Sequence, residues 1–252
     1  MMKCPKCGFD QPVQNTECLK CGIVFEKYRK LQALESNSPD VYPVTDKEDA
    51  ADRGSILQIL FYVKPDTHPI AFGGRAFFFL VLCIWGFKII LTSLSSNYEA
   101  SSFWHLVNLP FHEAGHIFFR IFGRFMTSLG GSLGQLLMPL VCLITFLLHT
   151  RDAFAAAFSL WWLGENFIDL APYINDARSL TLPLLGGNTG ADAPYGFHDW
   201  EYILKESGLI RHDHLIAVFS NRVGILLMVC ALVWGALVLF KQYKEIRPSG
   251  RQ

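Results

Sequence analysis

Charge is what this chain has least of. Only 17% of its 252 residues are Asp, Glu, Lys or Arg, and 22 acids balance 22 Lys and Arg to a formal net charge of zero. Without a basic excess there is no broad surface to hold a phosphate backbone, so nucleic acid is not expected as a partner. The opening residues, Met1-Met2-Lys3-Cys4-Pro5-Lys6-Cys7, lack the apolar core of a signal peptide, so the N-terminus is expected to stay in the cytoplasm. What is abundant is apolar: 51% of residues are hydrophobic and 14% aromatic, more than in an ordinary soluble domain. The expectation is an integral protein of the cell inner membrane, with lipid as its first partner.

The apolar residues are concentrated. Residues 1–25 form a Cys-rich unit, and residues 26–69 are charged and polar, with Ser36-Asn37-Ser38-Pro39-Asp40 and Asp46-Lys47-Glu48-Asp49 reading as linker. Within that linker, Ile56 to Val63 suits an interfacial helix. Residues 70–242 then hold five apolar runs, at about 70–94, 103–122, 129–148, 153–175 and 215–240, each near the ~20 residues that a helix needs to cross a bilayer. A basic tail closes the chain at 243–252. The fold class is therefore mainly α, a multispanning transmembrane helix bundle of four or five crossings with a small N-terminal zinc ribbon. The positive-inside rule puts the tail, with Lys241, Lys244, Arg247 and Arg251, inside and the uncharged stretch around Thr92 to Ser102 outside. Five full crossings from an inside N-terminus conflict with that. The second run, which carries His105, His112, Glu113, His116, Arg120 and Arg124, is the best candidate for a re-entrant segment.

The seven cysteines divide by context. Cys4-Pro5-Lys6-Cys7-Gly8 and Cys18-Leu19-Lys20-Cys21-Gly22 are matching turns that point two thiolates each at one metal, and together they make a closed four-sulfur shell. A segment this small has almost no core of its own, so the metal is what folds it. One structural Zn2+ is expected here, with a docking role toward a protein partner. Cys83, Cys142 and Cys230 sit singly in apolar runs and read as core residues.

In His112-Glu113-Ala114-Gly115-His116 the two histidines lie four residues apart, so a helix turns both to one metal, with Glu113 placed to take a proton from water there. Imidazoles and a carboxylate in an apolar helix persist mainly where they are paired, metal-bound or lining a polar cavity. A second, catalytic Zn2+ follows, and it needs a third protein ligand. The fourth run offers carboxylates: at ~100° per residue, Asp169 lies about 40° and Asp176 about 20° from Glu165, on one helix face. Pro172 breaks the hydrogen-bond ladder beside them.

His112-Glu113-Ala114-Gly115-His116 and Gly164-Glu165-Asn166-Phe167-Ile168-Asp169 together resemble the two motifs of gluzincin metallopeptidases of the neprilysin and thermolysin type. The likeness covers about eleven residues. It implies His112, His116 and Glu165 as zinc ligands, Glu113 as general base, and Asp169 orienting a histidine ligand from behind. The multispanning setting is similar to membrane-embedded peptidases, both the prenyl-protein type and the site-2 type. The latter uses an Asp as third ligand, which would be Asp169 or Asp176, but its Leu-Asp-Gly motif is absent here.

Gly130-Gly131-Ser132-Leu133-Gly134-Gln135 reads chiefly as a surface for close helix packing, and less as a backbone edge for substrate. A surface or interfacial role is favoured for His198-Asp199-Trp200, with His198 as an extra ligand or transition-state donor in the alternative; His212 and His214 read as solvated. The function expected is zinc-dependent hydrolysis of a protein or peptide substrate. The competing readings are a noncatalytic membrane zinc-binding scaffold, which would have no need of Glu113, and a metal transporter.

Overall fold

The structure, a computed structural model, describes residues 1–36, 56–64, 68–94 and 102–246, the side chains of 31–36 excepted. The linker motifs at 37–40 and 46–49, the connection at 95–101, and Arg247 and Arg251 lie outside the described residues. The chain divides into two units, Met1–Arg53 and Gly54–Gln252.

In the first unit β1 (Met2–Lys3) pairs antiparallel with β2 (Asp10–Gln11). The backbone then repeats one turn twice: Gly8 N–H donates to Cys4 O and Gly22 N–H to Cys18 O, with φ of 71° and 68° at the two glycines. That left-handed geometry is why glycine follows each Cys-x-x-Cys. Among its described residues the buried apolar core is a cluster of Cys4, Cys18 and Phe25. Phe25 opens α1 (Phe25–Ser36), a helix that occupies residues read from the sequence as the start of the linker.

The described part of the second unit is built from helices: α2 (Ile56–Leu60), α3 (Pro69–Leu91), α4 (Phe103–Phe119), α5 (Arg124–Leu148), α6 (Ala153–Asn175), α7 (Asp199–Glu206) and α8 (Asp213–Ile246). Among the described residues three helices are long and apolar enough to cross a membrane: α3, α5, and α8 with the turn before it. Phe77, Leu80, Ile84, Phe87 and Leu91 of α3 point outward and exposed, an arrangement that suits hydrocarbon and not water. These helices support a membrane protein. By contrast 16 of the 23 residues of α6 are buried, so protein and not lipid surrounds it, which is what lets it carry Glu165 and Asp169.

Small residues set the close approaches. A methyl group on Gly164 of α6 would lie 2.8 Å from the Gly224 carbonyl oxygen of α8, and one on Gly130 of α5 would lie 2.7 Å from the Gly115 carbonyl oxygen of α4. Gly130 and Gly134 thus pack α5 closely on α4, the role expected of the run.

The start of α3, the α5–α6 turn and the end of α8 share one end of this unit, tied by Arg75–Asp152 at 2.6 Å, Phe72 against Tyr243, and Lys241 donating to Phe61 O. The α4–α5 turn, residues 176–212 and the start of α8 form the opposite end, where Arg178 pairs with Asp213. Helix α4 does not run the full distance. It begins with Trp104 packed on Phe158 and Trp161 in the first half of α6, and it reaches Tyr173 near the end of α6 by His112.

Candidate metal centres

Four cysteines meet in the first unit, all as free thiols. Cys4 Sγ lies 3.8 Å from Cys21 Sγ and Cys7 Sγ 3.7 Å from Cys18 Sγ. The edge of a tetrahedron with ~2.3 Å metal–sulfur bonds is ~3.8 Å, so the spacing fits a Cys4 zinc shell. The thiols also crowd electrostatically. Desolvation pushes the Cys18 thiol up, but backbone hydrogen bonds from Cys21 and Lys20 outweigh it and bring it to about 6. Backbone bonding at Ile23 favours a Cys21 thiolate, yet desolvation and the neighbouring thiols of Cys18, Cys7 and Cys4 push it up to about 12. Four sulfurs this close ionise together only around a cation.

The second group consists of His112, His116 and Asp199, whose ligand atoms all lie within 4.8 Å of one another. It is built from the helix outward. The four-residue spacing brings the two imidazoles together on one side of α4, edge to face with ring centres 4.9 Å apart. His116 Nδ1–H donates to the Thr127 carbonyl at 2.7 Å. His112 Nδ1–H donates to Gln135 Oε1 at 2.8 Å, and the Gln135 amide is oriented by donating its NH2 to Asp169 Oδ2 at 3.3 Å. With both Nδ1 atoms committed as donors, each ring presents the Nε2 lone pair. Both Nε2 atoms lie 3.3 Å from Asp199 Oδ2. A tetrahedral ion with ~2.1 Å bonds has edges of ~3.4 Å, so the donor set and its spacing fit zinc.

Gly131 leaves the room. A methyl group there would collide with His112 Nε2 and with the His116 ring. The glycine beside the imidazoles is therefore a cradle that a side chain would fill.

Asp199 is the first residue of α7, and four contacts hold it. Its N–H donates to Tyr173 Oη at 2.9 Å, and Tyr173 Oη–H donates to its Oδ2 at 3.3 Å. His198 caps α7, Nδ1 accepting from Glu201 N–H, and Trp200 Nε1–H donates to Ser132 Oγ of α5. Burial would push the Asp199 carboxyl up, but the neighbouring His112 and His116 rings outweigh it and hold it below the usual carboxylate range. The N-terminus of α7 adds its own preference for negative charge.

The carboxylates expected from the sequence at the third position lie elsewhere than the His112–His116–Asp199 group. Glu165 is fully buried and its Oε2 accepts from Asn108 Nδ2 at 2.9 Å, away from the imidazole pair. Asp176 does not join the group either: it ties the loop after α6, accepting from Ser179, Thr181 and Leu182. Asp169 reaches His112 only through Gln135, so the direct carboxylate–histidine contact is replaced by one with an amide between. His198 is inaccessible to solvent, packed on Tyr173, and burial holds its imidazole below the usual range. The surface or interfacial role favoured for His198-Asp199-Trp200 does not hold for His198 and Asp199, which are buried, and of these it is Asp199 that faces the imidazoles. Tyr173 and Gln135 carried no signal of their own.

A cavity of about 470 Å³ opens at this group. Glu113, His116, Asp199 and Tyr173 line one polar part of it, His105 and Asp169 another, and Leu109, Leu170 and the loop Leu182–Gly186 add apolar wall. No protein-family model, curated protein or solved structure matches the chain.

Proposed function

We propose that the membrane unit is a zinc-dependent peptidase in which His112, His116 and Asp199 hold the metal and Glu113 is the general base. The observation that carries the reading is two Nε2 lone pairs and one carboxylate oxygen at tetrahedral spacing over Gly131, inside a cavity that Glu113 also lines. When bound, zinc supplies a Lewis acid that makes water nucleophilic near neutral pH and polarises the carbonyl under attack. The chain's residues do the rest. Glu113 accepts the proton of the attacking water and returns it to the leaving amine. Gln135 and Thr127 keep both rings in the ligating tautomer, Tyr173 aims Asp199, and the leucine walls keep the cavity poor in competing water.

An aspartate in third place agrees better with the site-2 pattern than with the gluzincin one, although its position in the chain matches neither motif. Peptide bonds are the substrate by resemblance of the His-Glu-x-x-His motif. The four cysteines hold a second, structural zinc, and the ribbon docks a partner.

We place four crossings in the chain: α3, α5, α6 and α8. Helix α4 is re-entrant, since it starts beside the first half of α6 and ends at the end where α6 finishes. The start of α3 and the end of α8 then lie on one side, inside by Lys241 and Lys244, and the cavity opens toward the other. Zinc per chain tests the metal assignment: about two in the wild type, about one in Asp199→Ala, and still two in Glu165→Gln. Loss of the second zinc from Glu165→Gln with retention in Asp199→Ala would return the third position to Glu165.

A further inference from the structure

Seven residues before His112, on the same side of α4, His105 also lines the cavity, its side chain 34% accessible. No step of the proposed hydrolysis uses it. Its Nδ1 lies 2.9 Å from Asp169 Oδ1, and that carboxylate is only 3% accessible. Asp169 is itself held, Oδ2 accepting from Asn108 Nδ2 at 3.0 Å and from Gln135 Nε2 at 3.3 Å. Asn108 is fixed in turn by Trp162 Nε1–H donating to its Oδ1 at 2.9 Å. Such a chain of buried partners sets the orientation of a ring and is costly to leave incomplete. A histidine needed only for packing at this depth would not need it.

The cavity therefore has two polar poles, the metal group and the His105–Asp169 pair, with Leu109 and Leu170 between them. Seven helical residues separate the poles by about 10 Å, which is about three residues of extended peptide. Resting on the peptidase reading above, we infer that His105 is a specificity residue: it hydrogen-bonds a polar side chain about three residues from the bond cleaved, in a substrate whose intervening residues are apolar. The substrate class is an apolar peptide segment interrupted by one amide or hydroxyl side chain.

The test is binding, which needs no turnover. Zinc-loaded full-length protein in detergent would be titrated calorimetrically with apolar peptides bearing a hydroxamate at one end or the other. The third residue from the hydroxamate would be Asn or Leu. Wild type should bind the Asn peptide about tenfold more tightly in one of the two series, the size of one well-made buried hydrogen bond. His105→Phe should lose that preference while keeping two zincs and the affinity for the Leu peptide. His105→Gln, which retains a hydrogen-bonding group, should recover part of the preference. An equal preference surviving in His105→Phe, or no preference in the wild type while both peptides bind, overturns the inference and leaves the peptidase reading standing. Failure of every hydroxamate to bind the zinc-loaded protein overturns that reading and the inference with it.

Discussion

The two candidate metal centres are assembled in opposite ways. In the ribbon unit all four sulfurs lie between Cys4 and Cys21 on two copies of one turn, and no long-range packing is needed to bring them together. In the membrane unit His112 and Asp199 are 87 residues apart, and they meet only because α7 docks on α5 and α6 through Trp200, Tyr173 and a cluster around Leu170 and Leu204. The first centre organises its surroundings, whereas the second is organised by them. Metal removal should therefore unfold the ribbon and leave the helices of the membrane unit in place.

Substitutions sharpen the contrast, beginning with the largest effect. Glu113→Gln should lower peptide hydrolysis by ~10²- to 10⁴-fold while both zincs remain, because the amide removes the proton acceptor and no ligand. Cys4→Ser, its counterpart in the ribbon, should remove one zinc and leave hydrolysis by the membrane unit intact. Hydrolysis assays paired with zinc analysis on the same samples read both. If Cys4→Ser also stopped turnover, the independence of the centres would be lost.

Gly131→Ala comes next. The added methyl group occupies the space in which the two Nε2 atoms face Asp199, so the membrane zinc should be lost while the ribbon zinc and the helix content by circular dichroism persist. Retention of two zincs would mean that the imidazoles do not meet where they are described.

Asp169→Asn should act at a distance of one amide. With its oxygen no longer anionic, the Gln135 amide is held less firmly and His112 with it, and zinc affinity should fall by about 10- to 100-fold in competition with a chelator. The smallest change is Ser132→Ala. It removes the acceptor for Trp200 Nε1–H, loosens α7 by about 1 kcal/mol, and should weaken zinc binding several-fold without touching a ligand. An equal effect on the ribbon zinc would point to global destabilisation.

Legibility in the sequence follows the same division. The Cys-x-x-Cys-Gly turns and the His112–His116 spacing are local geometry, and local geometry is what residue spacing encodes. The long apolar runs likewise mark α3, α5 and α8. Which carboxylate approaches the two imidazoles was not legible, because Glu165, Asp169 and Asp176 satisfy the helical spacing equally well and only tertiary packing distinguishes them. Asn108 takes Glu165, the loop after α6 takes Asp176, and Gln135 stands between Asp169 and His112. Asp199 lies outside any apolar run, on an eight-residue helix whose docking depends on Tyr173 and Ser132. Nothing in the immediate neighbourhood of His198-Asp199-Trp200 records those partners.

The position of Asp199 in the chain also sets an order of events during synthesis. The imidazoles of α4 and the cradle of α5 enter the bilayer first, and two further helices' worth of chain, α6 and the loop carrying α7, must follow before the carboxylate exists to meet them. A ribosome that has made the His-Glu-x-x-His helix has made an incomplete site. The three-residue group closes late, when the segment from Asp176 to Glu206 has folded back over α5, so a half-inserted chain would carry no complete metal group into the membrane beside its unfolded neighbours.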